Sequence, residues 1–330
     1  FSRISRSQTA LTGQAERTAS CPYRARVCMD IQFFIELFCG GLTRGSIYAL
    51  IALGYTLVYG IIGLINFAHG EVYMLGSFTA LLIAGALGVY GFPAGGILIV
   101  AALAAIVWCS AYGYTLEKVA YKPLRGAPRL SPLISAIGMS IFLQNYVLLA
   151  QTSDFVPFPN LLPEMDFLEH IDYVMGASDF LILMVSTSAM VSLSLFIRYT
   201  RMGKAMRATA QNRKMALLLG INADRIISLT FIIGSALAAL GGVLIASHMG
   251  QVNFGIGFLA GLKAFTAAVL GGIGSIPGAM VGGLVLGLAE SFTTGYFSGN
   301  YEDMLAFGIL ILILIFRPDG ILGKATVQKV

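Results

Sequence analysis

Apolar residues run along the chain in long blocks, separated by short polar or basic joints. The blocks fall near residues 33–64, 71–88, 94–116, 131–150, 180–197, 226–248, 258–272, 278–290 and 305–316. Most approach the roughly 18 to 25 residues that a helix needs to cross a bilayer. The first is long enough to hold an extra interfacial or half-helix piece. The pair 258–272 and 278–290 is short and rich in Gly and Pro, so it reads as two tilted spans or as a broken, re-entrant hairpin. The pattern predicts an all-α, polytopic transmembrane helical bundle with about eight or nine membrane segments, some of them broken or re-entrant.

The joints set the orientation, because Lys and Arg in short loops stay on the cytoplasmic side. Lys118, Lys122, Arg125 and Arg129 fill one loop. Arg198, Arg201, Lys204, Arg207, Arg213, Lys214 and Arg225 fill another, and Arg317, Lys324 and Lys329 fill the tail. These three regions are expected inside. The stretch 154–179 carries Asp154, Glu164, Asp166, Glu169, Asp172 and Asp179 without any Lys or Arg, and is expected outside with Glu302 and Asp303. The assignments alternate from the third segment to the last and put the start of the first segment outside.

Composition agrees with a membrane protein. The 330 residues are 57% hydrophobic and only 11% charged, against about 25% charged in soluble domains. A soluble globular enzyme and a disordered chain are both excluded. The net charge of +5 forms no patch that tracks phosphates, so nucleic acid is no expected partner. Much of that charge lies in residues 1–28, which hold five arginines and a single acid and show no apolar block. This stretch reads as a non-native or disordered extension, with Met29 as the natural start and 29–330 as one transmembrane domain. An Arg- and Ser-rich transit peptide is the alternative.

Three stretches can carry function. Ile65-Asn66-Phe67-Ala68-His69-Gly70-Glu71 places ionisable groups between two apolar blocks, where a charge costs roughly 2.5–3.5 kcal/mol or more. Asn66, His69 and Glu71 therefore line a conduction path or serve a helix break whose freed backbone groups they satisfy. Gln144 and Asn145 are further path candidates, by polarity at membrane depth. Residues 203–219 form a second stretch of good helix formers, stopped by Gly220 at a C′ position. Asn222 and Asp224 are placed to cap the next span. Gly203, Arg207, Gln211, Asn212 and Gly220 thus belong to a short cytoplasmic helix suited to docking a partner. Met206, Ala210, Leu217 and Leu218 would supply its apolar contacts. Third, Gly274, Gly278 and Gly282 recur every four residues and suit close helix packing, or a pivot. Lys263, one block earlier, has no evident partner and must snorkel or face a polar interior.

Absences narrow the chemistry. The chain lacks the G-x-x-x-x-G-K-[ST] of a P-loop, so it does not hydrolyse ATP that way. Its three histidines and four cysteines form no metal spacing and no nucleophile–base set, so no cofactor, metal or catalytic residue is expected.

Several stretches resemble one family closely. Gly45-Ser46-Ile47-Tyr48-Ala49-Leu50-Ile51-Ala52-Leu53-Gly54-Tyr55, followed by residues 65–74, is similar to the LivH-type permeases of bacterial branched-chain amino acid ABC importers. So are residues 218–225, residues 263–279 and the closing Gly320-Ile321-Leu322-Gly323. The resemblance covers the chain from about Met29 onward. It implies one half of an importer in a bacterial inner membrane, paired with a second homologous permease. Two cytoplasmic ATP-binding subunits would drive it, and a periplasmic binding protein would deliver leucine, isoleucine or valine. Residues 203–220 would then be the coupling helix. Urea and short-chain amide permeases share the Ala68-His69-Gly70-Glu71 core and remain an alternative substrate class. An ion-coupled secondary transporter using Glu71, His69 and Lys263 is the other alternative, and it would work without ATPase subunits.

Overall fold

The computed structural model describes residues 22–128, 130–161 and 176–323, with side chains from residue 31 onward. Eleven α-helices account for most of the described residues. They are α1 (Pro22–Ile62), α2 (His69–Val89), α3 (Ala94–Leu116), α4 (Leu130–Ala150), α5 (Ala177–Tyr199) and α6 (Arg201–Gln211). Then follow α7 (Arg213–Leu218), α8 (Ala223–Met249), α9 (Ile256–Gly271), α10 (Ile276–Tyr296) and α11 (Glu302–Phe316). A π-helical turn, Glu117–Tyr121, extends α3. Of the expected extension at 1–28, residues 1–21 lie outside the described residues, and 22–28 form the first turns of α1.

Among the described residues, eight helices are long and apolar enough to cross a membrane. The remaining apolar block, 258–272, became α9, whose 16 residues rise about 24 Å, short of the roughly 30 Å hydrocarbon core. Helices α1 and α8 form the centre, with 78% and 72% of their most apolar stretches buried, while α3 and α4 each bury only 22%. The outer helices present Leu103, Val107, Trp108, Ile134 and Ile141 outward, as expected where the solvent is lipid.

Small residues bring the central helices together. Gly41, Gly45 and Ala49 of α1 face Gly283, Leu284, Gly287 and Leu288 of α10. A Cβ added at Gly283 would fall 2.5 Å from Ala49 Cα, and one at Gly45 would fall 2.8 Å from Leu284 Cα. Because lipid is as apolar as leucine, such close backbone approach is a main source of helix association in membranes. Helices α2 and α8 meet the same way at Gly76 and Ala239, and Ser77 Oγ donates to the Gly242 carbonyl at 2.8 Å.

The α9–α10 hairpin uses its glycines in two ways. Gly278 packs on Gly271, and Gly282 on Ala267, backbone to backbone. Gly274 corrects the expected packing stripe: it lies in the turn with φ +91, and a Cβ there would meet open space. Its need is for a left-handed backbone, not for a close neighbour. Ser275 then caps α10 by accepting from the Gly278 N–H at 3.3 Å. The tail closes over this turn, with the Ile321 N–H donating to Leu270 O at 2.9 Å and the Leu322 N–H to Gly271 O at 3.0 Å.

Loop contacts join segments that the charge pattern assigns to the same side. On the side expected outside, Val156–Pro157 pairs antiparallel with Gln251–Val252. There too His248 Nδ1 lies 3.2 Å from Asp179 Oδ1. On the side expected inside, Arg125 and Arg213 both reach Asp224, at 2.5 and 3.1 Å.

Candidate translocation and coupling sites

Chain geometry breaks between α1 and α2. Gly63, at φ +71, ends α1, and residues 64–68 are not helical before α2 starts at His69. The His69 N–H donates to Asn66 O at 3.0 Å across this break. Asn66, His69 and Glu71 are 3%, 1% and 0% exposed, so all three side chains are enclosed. Asn66 Oδ1 accepts from the Tyr121 hydroxyl at 2.8 Å. The His69 ring sits edge-on to Tyr55, centroids 4.8 Å apart, and against Gly54 and the Ile51 backbone. Glu71 Oε1 accepts from the Ser140 hydroxyl at 3.0 Å, while Oε2 lies against Gly257. His69 Nε2 and Glu71 Oε2 have no hydrogen-bond partner among the described residues. Glu71 also sits in the first turn of α2, where a negative charge meets the positive end of the helix dipole.

Gln144 and Asn145 do not join this group. The buried stripe of α4 is Pro132, Ala136, Ser140, Leu143 and Val147. Asn145 lies off that stripe, is exposed, and donates to its own Ile141 carbonyl at 2.8 Å; Gln144 is half-buried beside it. The residue of α4 that reaches the break is Ser140, which the sequence reading passed over. Its signal was the four-residue spacing from Pro132 through Ala136. Tyr55, Tyr121 and Gly257 were missed because their contacts join distant parts of the chain.

The element expected on the cytoplasmic side is two helices rather than the single one expected over 203–219. Asn212 adopts an extended backbone, φ −157 and ψ 103, and its side chain accepts from the Met215 N–H at 3.1 Å. An asparagine that caps a new helix competes with continuing the old one. Thr200 caps α6 by accepting from the Gly203 N–H at 3.0 Å. Gly203 itself is pressed onto the Ile197 backbone, so α6 turns sharply off α5. The end matches the expectation: Gly220, at φ +80, sits at C′. Its N–H donates to Leu217 O and the Ile221 N–H to Ala216 O, both at 3.0 Å, which is a Schellman closure. Asn222 caps α8 by accepting from the Arg225 N–H at 3.2 Å. Asp224 is taken up by Arg125 and Arg213 instead of capping.

Arg207 and Gln211 are exposed, and Arg207 Nη2 donates to Arg198 O at 3.2 Å. Met206 is buried, but Ala210 is exposed. In α7 only Ala216 is buried; Leu218 and Leu219 are 81% and 77% exposed, with Met215 and Leu217 beside them.

Lys263 has partners after all. Its Nζ lies 2.6 Å from Glu302 Oε1, 2.9 Å from Asp303 Oδ1 and 3.3 Å from Glu290 Oε1. Glu290 is fully enclosed, beside Tyr48. Arg44 approaches Glu302 at 3.7 Å. The cluster ties α9 to α10 and α11 at the end expected outside.

Comparison with known proteins identifies the family. Residues 37–314 match the family model described as branched-chain amino acid transport system / permease component. The chain is 54% identical to the high-affinity branched-chain amino acid transport system permease protein BraD of Pseudomonas aeruginosa, over 91% of this chain and 99% of that one. It is 53% identical to the corresponding LivH protein of Escherichia coli K12, over 90% of this chain and 98% of that one. A more distant likeness, 31% identity over 42% of this chain and 40% of the other, links it to the autoinducer 2 import system permease LsrC of Yersinia enterocolitica. With long apolar helices packed through glycine and a match over most of its length, the chain belongs to the branched-chain amino acid transport permease family.

Proposed function

We propose that this chain is the membrane-spanning permease of an ATP-driven importer that moves leucine, isoleucine and valine from periplasm to cytoplasm across a bacterial inner membrane. The whole stretch 29–330 serves as the permease domain. It pairs with a second, homologous permease. Two cytoplasmic ATP-binding subunits supply the hydrolysis that the chain, lacking a P-loop, does not carry out. A periplasmic binding protein presents the amino acid. Alternating access then follows as rocking of the two permeases against each other.

The observation that carries this reading is the element α6–α7. It is capped at both ends and it breaks once at Asn212. It exposes Met215, Leu217, Leu218 and Leu219 beside the exposed Arg213 and Lys214. A solvated loop needs neither defined caps nor an apolar face. Residues 203–220 therefore act as the coupling helix, with Gly203 and Gly220 fixing its ends, Asn212 its bend, and Arg207 and Gln211 its exposed polar face. Asn66, His69 and Glu71 border the translocation path at the helix break, a role supported by two enclosed polar atoms that lack partners.

Uptake of labelled leucine in cells lacking this gene tests the proposal. The parent chain is expected to restore ATP-dependent uptake. A chain carrying Arg207→Glu and Gly220→Val is expected to insert normally, lose the ATP-binding subunits on purification, and lose about tenfold or more in uptake. Valine at a left-handed backbone position costs roughly 1–2 kcal/mol, enough to unwind the end of so short a helix. Uptake that persists without the ATP-binding subunits, or that follows an ion gradient, overturns the proposal.

A further inference from the structure

One connected set of side chains runs from the cytoplasmic element to the helix break. It begins at Arg213, the first residue of α7, whose Nη2 lies 3.1 Å from Asp224 Oδ1. The same oxygen receives Arg125 Nη1 at 2.5 Å. The other end of the Arg125 guanidinium holds Glu117 Oε1, and Glu117 Oε2 accepts from the Ser228 hydroxyl at 2.8 Å. Glu117 is fully enclosed. Four residues on, in the same π-helical turn, Tyr121 donates its hydroxyl to Asn66 Oδ1 at 2.8 Å. Asn66 in turn accepts from the N–H of His69, the first residue of α2.

Apart from the π-helical turn itself, every link is a directed hydrogen bond or a charge pair, and the planar guanidinium of Arg125 holds its two carboxylates in fixed relation. An enclosed carboxylate is costly and is seldom a source of stability over an apolar residue. A π-helical turn is uncommon and strained relative to an α-helix, and it often marks a functional place. Both features fall on the segment that bridges the two sites.

We propose that Glu117, Arg125 and Asp224 are positioning residues that carry displacement of α6–α7 into the π turn, and that the Tyr121–Asn66 bond passes it to the break before α2. This rests on the docking role assigned to α6–α7 above. Movement of α7 pulls Asp224 through Arg213. Arg125 transmits the pull to Glu117, and the turn carries Tyr121 with it. Tyr121 then shifts Asn66 and the start of α2, where His69 and Glu71 sit.

The test uses the complete transporter, with its partner subunits and binding protein, in proteoliposomes. ATP hydrolysed and leucine imported are measured in the same vesicles, and their ratio is the readout. Tyr121→Phe removes only the hydroxyl; Glu117→Gln removes only the charge. Both variants are expected to keep the ATP-binding subunits and to hydrolyse ATP within about twofold of the parent, while leucine moved per ATP falls about tenfold. An unchanged ratio in Tyr121→Phe overturns the proposal. So does a loss of hydrolysis and uptake in proportion, which is what a merely structural staple would give. Where Glu117→Gln does not insert, the ratio in Tyr121→Phe alone decides. If the parent chain imports leucine without ATP-binding subunits, the importer reading itself fails, whatever the ratio in the variants.

Discussion

Replacing Gly283 by valine is expected to abolish the folded protein. A Cβ at this position falls 2.5 Å from both the Ala49 nitrogen and its Cα, and 2.7 Å from its Cβ. The obstacle is mostly backbone, so no side-chain rotation relieves it. Helices α1 and α10 must part, and the neighbouring contacts at Gly41, Gly45 and Gly287 part with them. Overpacking in a rigid core costs about 1–3 kcal/mol, and separation of a whole helix pair costs more. A domain holds only about 5–15 kcal/mol in total. Extracted into detergent, Gly283→Val is expected to elute as aggregate and to show no cooperative melt. Gly85→Ala serves as control: Gly85 also lies mid-helix, in α2, but an added Cβ meets nothing within 4 Å. It is expected to hold or gain up to about 1 kcal/mol, because alanine favours a helix over glycine. A Gly283→Val protein that elutes and melts like the parent would show that the α1–α10 contact is not what holds the bundle.

How far the sequence reveals this molecule depends on the distance over which each feature is determined. The spans were legible because length and apolarity are local, and they set the helices. The Gly220 closure was legible for the same reason, since a left-handed stop needs only its own neighbours. The bend at Asn212 was written there too, but good helix formers on both sides masked it. Gly274 misled because small-residue spacing does not say which glycines lie inside helices. The break at residues 64–68 could be located from its polar residues, yet its partners Tyr121, Ser140 and Gly257 could not. They come from three other elements, and only packing brings them within reach. Lys263 looked solitary for the same reason: Glu290 and Glu302 lie 27 and 39 residues away.

That cluster supplies the second large effect. Lys263→Met is expected to destabilise the protein far more than Lys263→Met combined with Glu290→Gln. In the parent, Lys263 stands 3.3 Å from Glu290, which is fully enclosed. Removing the lysine leaves Glu290 with Tyr48 as its neighbour and no cation. An enclosed charge stripped of its partner costs roughly 3–5 kcal/mol. Glu302 and Asp303 suffer less, because their side chains are 21% and 52% exposed and Arg44 still approaches Glu302. Glu290→Gln alone leaves Lys263 with Glu302 at 2.6 Å and Asp303 at 2.9 Å, so its cost should stay near 1–2 kcal/mol, roughly that of one altered hydrogen bond. The double variant removes both enclosed charges and should recover about half or more of the loss, as double-mutant cycles of coupled pairs do. Thermal midpoints of the four purified proteins check the order. Equal losses in Lys263→Met and in the double variant would show that Glu290 is not the group the lysine serves. Leucine uptake by the double variant then separates two roles for these charges. A clamp that holds the short helix α9 to α10 and α11 tolerates replacement of both partners, and uptake survives. A pair that coupled transport to an ion would lose uptake with either charge, however stable the protein remained. Retained uptake is the expected result, because the three carboxylates that Lys263 meets lie on α10 and α11 and none belongs to the group at Asn66, His69 and Glu71.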